Sequence, residues 1–320
     1  MPVYKLGSQG DEVSRIQKKL KALKFYLGPV DGMFGGGTHG AVRSFQGSKG
    51  LLVDGVVGPG TWRALFRTGI KESALSQTPL EYRCLALAGS FETGERIPDC
   101  FAGLSGDFDG QGMSLGVVQW NFGQGSLQPL LEDMVKRHPK IMDSVFHEQL
   151  ESLLAALKSS REELLGFARS IQHPVKHTLY EPWKGMFRTL GRTPEFQEIQ
   201  VKHAGSLHRA SLKLCKDFAL WSERGVALMF DIKVQNGSIR KPAMEQMMED
   251  IKNLNPNLSA PEREVERMRI IANRSAEAAR PEWVEDVRAR KLCIADGVGK
   301  VHGVSYDLAE QFGIGLKRRD

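Results

Sequence analysis

The sequence has no long hydrophobic run: nowhere does it approach the roughly 18 consecutive apolar residues of a membrane-spanning helix. Its first residues, MPVYKLGSQGDEV, also lack a basic segment followed by an apolar one. The expectation is a chain made in the cytoplasm without a Sec signal, which reaches any outside target by another route. Cysteine is scarce. Cys84, Cys100, Cys215 and Cys293 are scattered with no CxxC pair, so neither a zinc site nor a disulfide framework is signalled. Buried or half-buried thiols are expected, with a Cys84–Cys100 bridge left open. The eight histidines (His39, His138, His147, His173, His177, His203, His208 and His302) show no HExxH or other metal spacing, so no metal or cofactor is expected. No Ser or Cys sits in a nucleophile elbow.

What is present is an ordinary globular composition, 41% hydrophobic and 26% charged, over 320 residues, which allows two domains. The net charge of +6 permits attraction to nucleic acid, an anionic membrane or a bacterial envelope, and selects none of them. The first seventy residues carry a degenerate repeat. Val30-Asp31-Gly32-Met33-Phe34-Gly35, followed by Thr38, recurs as Val53-Asp54-Gly55-Val56-Val57-Gly58, followed by Thr61-Trp62. Each half reads as an Asp-Gly turn and then a helix begun by a Thr N-cap. Val13, Ile16, Gln17 and Leu20 give a first helix at 3.6 periodicity, and Val42, Phe45 and Gln46 lie on a second.

Residues 67 to 79 are polar and small, a linker in composition. Beyond Leu80 the pattern is mostly helical. Periodic segments run over Leu127–Val135, Phe146–Leu157, Arg161–Ile171, Glu195–Leu220, Ala227–Val234, Ala243–Leu254 and Pro261–Ala279. Strand character is confined to Met113–Trp120. Between these lies SFETGERIPDCFAGLSGDFDGQGMSLGVVQWNFGQ, residues 90 to 124, which sets a carboxylate after an apolar run (Glu92) and another in an Asp- and Gly-rich turn (Asp109). Glycoside hydrolysis needs two such carboxyl groups, one kept protonated by an apolar wall and one kept ionised in a polar turn. On its own a Glu after an apolar run reads as a solvated helix residue; the downstream turn, together with the N-terminal segment, raises Glu92 above that. Glu95 and Asp107 stand next in line as acid and base. Calcium is excluded, because a loop begun at Asp107 puts Val118 where the closing carboxylate belongs.

Two resemblances follow from these motifs. LGSQGDEVSRIQKKL, VDGMFGGGTHGAVRSFQ and LLVDGVVGPGTWRAL, spanning Val3 to Phe66, resemble the three-helix peptidoglycan-binding module of bacterial cell-wall enzymes. Asp109-Gly110-Gln111-Gly112-Met113-Ser114-Leu115-Gly116-Val117-Val118-Gln119-Trp120 resembles the lysozyme superfamily, and within it the chitosanases of glycoside hydrolase family 46. By position that resemblance makes Glu92 the general acid, Asp109 the general base and Ser114 the hydroxyl holding the attacking water. Gln111, Gln119, Trp120 and Asn121 become substrate contacts. It further implies a buried Asp231 paired with Arg290 or Arg274, and a helix near Trp183 and Thr193 packed beneath the cleft.

The expected fold is mainly α: a small wall-binding domain (1–68, with Asp31, Phe34, Asp54 and Trp62 as wall contacts), a linker (69–79) and a lysozyme-like α+β domain with a small sheet (80–320). The expected activity is endolysin-like: a muramidase cleaving the β-1,4 glycan bond with inversion, after holin-type release or injection. A chitosanase or chitinase, a lytic transglycosylase and an inactive wall-binding protein remain open. Peptidoglycan glycan strands are the expected partner, for a monomer that takes no nucleic acid and does not insert into membranes.

Overall fold

The computed structural model describes residues 3–66 and 74–319. In chain order the helices and strands are α1 (Asp11–Ala22), α2 (Gly36–Ser48), α3 (Pro59–Phe66), α4 (Leu80–Thr93), β1 (Leu104–Ser105), β2 (Ser114–Leu115), β3 (Trp120–Asn121), α5 (Gln128–Arg137), α6 (Pro139–Phe146), α7 (Leu150–Leu157), α8 (Arg161–Ser170), α9 (Trp183–Arg192), α10 (Pro194–His203), α11 (Gly205–Asp217), α12 (Glu223–Asn236), α13 (Lys241–Lys252), α14 (Ala260–Glu277), α15 (Val284–Asp296), β4 (Val298–Val301), β5 (Val304–Asp307) and α16 (Leu308–Phe312). The fold is mainly helical, as expected; among the described residues it carries two small sheets where one was expected. The chain closes into two compact units, one of Met1–Cys84 with Ala210–Asp320 and the other of Leu85–Arg209. Of the linker expected over 69–79, residues 69 to 73 lie outside the described residues.

In the first unit, α1 to α3 close around their own core of Val13, Ile16, Leu20, Phe34, Val42, Phe45, Trp62 and Leu65. The apolar stripe of α1 at 3.6 spacing supplies one wall of it. The two halves of the repeat are locked by the same device. Gln17 Nε2 donates to Asp31 Oδ1 (2.8 Å), Met33 O (2.9 Å) and Thr38 Oγ1 (3.1 Å), and its Oε1 accepts from Gly32 N (2.9 Å). Gln46 Nε2 donates to Asp54 Oδ1 (2.7 Å), Val56 O (2.9 Å) and Thr61 Oγ1 (3.0 Å), and its Oε1 accepts from Gly55 N (2.8 Å). A buried amide with every partner satisfied fixes each Asp-Gly turn onto the preceding helix. This corrects the N-cap expectation. α2 begins at Gly36 behind Gly35, and Thr38 and Thr61 lie inside their helices as acceptors for the glutamines.

The rest of this unit is built on α12, buried from Glu223 to Ile232, and on α14 packed along α15. Periodicity missed α15, because its buried set (Val287, Arg290, Lys291, Cys293, Ile294, Ala295) mixes charge with apolar residues and leaves no clean stripe. A β4–β5 hairpin follows, in register Val301↔Val304, and turns through His302 and Gly303. Both have positive φ (49° and 82°), the geometry of a two-residue hairpin turn.

In the second unit, Leu85, Ala86, Leu87, Ala88 and Phe91 of α4 are buried. A Cβ on Gly89 would stand 2.7 Å from Cys100 O and 2.8 Å from Val117 Cγ2, so only glycine lets the sheet side approach this helix. Phe146, Trp183 and Phe187 stack beneath, with the edge of Phe167 on Trp183. Two expected helices are broken. Glu195–Leu220 separates at Ala204 into α10 and α11, and Phe146–Leu157 is interrupted at His147, whose φ is 47°. The strand expected over Met113–Trp120 is two short strands, because the chain reverses between Gly116 (φ 85°) and Gln119 (φ 55°). All four cysteines are buried and unbridged, so the pairing left open for Cys84 and Cys100 is not formed.

Candidate active site

Glu92 is the penultimate residue of α4, and its side chain is exposed. The apolar residues before it, Leu85, Leu87, Ala88 and Phe91, are buried, but the expected apolar wall does not extend over Glu92 itself. The end of α4 reaches the small sheet through Gly103. A Cβ there would stand 3.2 Å from Gln119 Nε2, 3.4 Å from Gly116 O and 3.5 Å from Thr93 Cγ2. Thr93, Gly103 and Gln119 therefore meet beside Glu92. Gln119 is fixed in place: its Nε2 donates to Gly116 O (2.8 Å) and its Oε1 accepts from Ser105 Oγ (2.8 Å).

β1, β2 and β3 pair antiparallel in the registers Ser105↔Ser114↔Asn121 and Leu104↔Leu115↔Trp120. Directly paired residues share a face. One face thus carries Ser105, Ser114 and Asn121, and the other carries Leu104, Leu115 and Trp120. Trp120 is only 9% exposed and packs against Gly116, so the substrate contact expected of it gives way to a core role. Asn121 is also buried. Its Oδ1 accepts from Gln124 N (2.8 Å), which shapes the glycine-rich loop rather than reaching outward.

Asp109 is exposed in the β1–β2 turn, where its Oδ1 accepts from Gln111 N (3.1 Å). Gln111 O accepts in turn from Gly123 N (2.7 Å), so the Asp turn and the glycine loop are one hydrogen-bonded piece. Asp107, the second choice for the base, is a buried clamp. Its Oδ1 accepts from Gly112 N (2.9 Å), its Oδ2 faces Arg169 Nε (3.2 Å) and its N donates to Gln172 Oε1 (2.9 Å). A carboxylate so occupied holds the loop and cannot also activate water. Gln200 of α10 supports the opposite turn, accepting from Val117 N (3.0 Å) and donating to Phe101 O (3.0 Å). Sequence reading missed Arg169, Gln172 and Gln200, since a lone polar residue on a helix face reads as solvated.

The remaining expected site residues lie in the other unit. Asp231 and Arg290 pair as expected, at 2.6 Å from Nε to Oδ1, and Lys291 Nζ adds a second cation at 3.3 Å from Oδ2. Burial pushes the Asp231 carboxyl up, but the Arg290 and Lys291 charges hold it below the usual carboxylate range. Arg274, the other partner offered for Asp231, is engaged by Asp250 (2.6 Å) and Glu277 (2.8 Å) instead. Among the wall contacts expected in the N-terminal module, Phe34 and Trp62 are 1% and 0% exposed. They pack the core and cannot lie against a glycan. Asp31 and Asp54 are the turn acids held by Gln17 and Gln46. The Gln17 amide and the Met33 N–H keep the Asp31 carboxyl low. Asp31 also lines an open cavity of about 570 Å³ with Phe25, Tyr26, Pro29, Met33 and Thr38.

Among the described residues, no three His, Cys, Asp or Glu side chains gather as a metal site, and no helix is long and apolar enough to cross a membrane. Residues 9–65 match the family described as a putative peptidoglycan binding domain. The N-acetylmuramoyl-L-alanine amidase CwlM of Mycobacterium tuberculosis (strain ATCC 25618 / H37Rv) is 39% identical over 89 residues, which cover 28% of this chain and 22% of that one. A spore cortex-lytic enzyme of Bacillus cereus is 45% identical over 65 residues, 20% of this chain and 25% of the relative. The chain thus spans about a quarter or less of the length of these curated relatives. In fold it is similar to the native chitosanase from Bacillus subtilis MY002, with a TM-score of 0.40 and 16% identity over 69% of this chain and 87% of that one.

Proposed function

We propose that the chain is a peptidoglycan glycan hydrolase, a muramidase that cleaves the β-1,4 bond by general acid and base catalysis with inversion. Glu92 donates a proton to the glycosidic oxygen, and Asp109, with the Ser114 hydroxyl, holds the attacking water on the opposite sugar face. The observation that carries this reading is the pairing of a segment matching a putative peptidoglycan binding domain with two exposed carboxylates in one unit, one at a helix end and one on a braced turn. Because Glu92 stands in water, the glycan itself has to exclude solvent from it as it binds. The wall-binding part, residues 1–68, raises the local concentration of substrate for the hydrolytic part, residues 80–320, with 69–79 between them. A monomer delivered to the wall by holin-type release or by injection completes the reading.

Full-length Glu92→Gln and Asp109→Asn test the roles. Each is expected to lower turbidity clearing of purified sacculi by about a hundredfold or more, the worth of a positioned acid or base, while sedimentation with sacculi stays as in the parent. Clearing at the parent rate by Glu92→Gln rejects the acid assignment. Anhydro products from Asp109→Asn would mean attack by the sugar's own hydroxyl.

A further inference from the structure

The Asp109 turn carries an apolar side chain that nothing in the fold accounts for. Phe108 is 70% exposed, on a loop where polar and glycine residues otherwise prevail. Its ring meets the His177 imidazole, with centroids 5.1 Å apart and planes at 55°. The loop that carries His177 is bolted to the same turn. Gln172 Oε1 takes the Asp107 N–H, and Gly106 lies so close to His177 O that a Cβ there would run into it. Within the loop, Gln172 bridges Leu179, His173 N donates to Thr178 O (2.9 Å), and His173 Nδ1 accepts from both Val175 N and Lys176 N (3.1 Å each). The two aromatic rings are therefore presented by a rigid, cross-braced pair of loops, the pre-organisation that lowers the entropic cost of binding.

We propose that Phe108 and His177 form a stacking subsite for a pyranose ring of the glycan, beside the base. This rests on the reading of Asp109 as the general base. Phe108 directly precedes it in the chain, so the ring and the base are carried by one turn, both exposed. The apolar C–H face of a pyranose matches an exposed aromatic face, and a solvated Phe gains free energy only when such a surface covers it. Tyr180, 45% exposed on the same loop, leans on His173, with ring centroids 6.4 Å apart.

The test uses the full chain with a soluble tetrasaccharide of alternating N-acetylglucosamine and N-acetylmuramic acid. Phe108→Ala is expected to raise KM about tenfold, equivalent to about 1.4 kcal/mol, with kcat within about twofold of the parent, because stacking serves ground and transition state alike. Phe108→Trp is expected to restore KM, and His177→Ala to raise it about threefold. In a Glu92→Gln background, hydrogen exchange of peptides covering 104–115 and 171–181 is expected to slow when tetrasaccharide is added, and not to slow once Phe108→Ala is present. Melting temperature should stay put, since the ring is mostly in solvent. A Phe108→Ala variant with parental KM and the same exchange protection overturns the subsite. Where the parent does not turn the tetrasaccharide over at all, the hydrolase reading fails instead. The exchange measurement then decides the subsite alone: slowing that Phe108→Ala abolishes supports it, and slowing that survives the variant, or none in the parent, overturns it.

Discussion

Removing the amide of Gln46 should unfold the N-terminal module while leaving the other unit intact. Gln46 is 1% exposed and makes four hydrogen bonds: Nε2 to Asp54 Oδ1, Val56 O and Thr61 Oγ1, and Oε1 from Gly55 N. Gln46→Ala leaves the buried Gly55 N–H without its acceptor, at about 1 to 3 kcal/mol. It also deprives Val56 O and Thr61 Oγ1 of their shared donor, at about 1 kcal/mol each, while Asp54, which is exposed, can turn to water. The sum, about 3 to 5 kcal/mol, is most of what a domain of this size has in reserve. Gln46→Glu is expected to be no better, since it keeps the acceptor but sets a second carboxylate against Asp54. Hydrogen exchange on the full chain reads this directly: amides over residues 11–66 should lose protection by two to three orders of magnitude, and those over 85–209 should keep theirs. Gln17→Ala should behave alike through Asp31, Met33 and Gly32. Parental protection in Gln46→Ala would refute the account of the repeat as a pair of glutamine-locked turns.

Two further outcomes follow from buried charge. Asp231→Asn removes the buried carboxylate charge that Arg290 and Lys291 both contact and should cost about 3 to 5 kcal/mol, read as a lower urea midpoint; an unchanged midpoint would mean the pair is dispensable. Glu310, whose Oε1 accepts from Glu12 N (3.3 Å), is pushed up to about 8, first by burial and then by Asp307. An acid raised in the native state contributes stability that is full below its unfolded value of about 4.3 and is lost as pH rises through about 8. Exchange at residues 10–14 and 307–313, corrected for intrinsic rates, should therefore quicken between pH 6 and pH 9. In Glu310→Gln that added pH dependence should vanish, and its persistence would assign it elsewhere.

How far the sequence reveals this molecule depends on whether one local pattern decides the outcome. α1 to α3 are legible because the apolar spacing at Val13, Ile16 and Leu20 and the paired Asp-Gly turns demand the same structure. Leu20, Val42 and Phe45, on those helix spacings, are core, and Leu65 joins them. The glutamine locks are not legible: Gln17 and Gln46 fall on the helix spacing, but nothing local shows that their amides hold the Asp-Gly turns that follow. Aromatic residues mislead in both directions: Phe34, Trp62 and Trp120 near binding motifs turn out to be core, while Phe108, unremarked in the motif, is in solvent. Register decides Trp120, because a turn of Gly116 to Gln119 sends it to the Leu face, and periodicity over six residues cannot locate that turn. Only the family resemblance marks Asp231 as a buried acid, and it does not distinguish Arg290 from Arg274. The difference is that Asp250 stands opposite Arg274 in the fold.

The central claim is that Glu92 and Asp109 together cleave glycan. Mass spectrometry of fragments released from purified sacculi by the full-length parent tests it most directly. Hydrolysis by a muramidase predicts fragments ending in reducing N-acetylmuramic acid, abolished by Glu92→Gln. Fragments ending in reducing N-acetylglucosamine, anhydro ends, or stem peptides released from intact glycan would each contradict it.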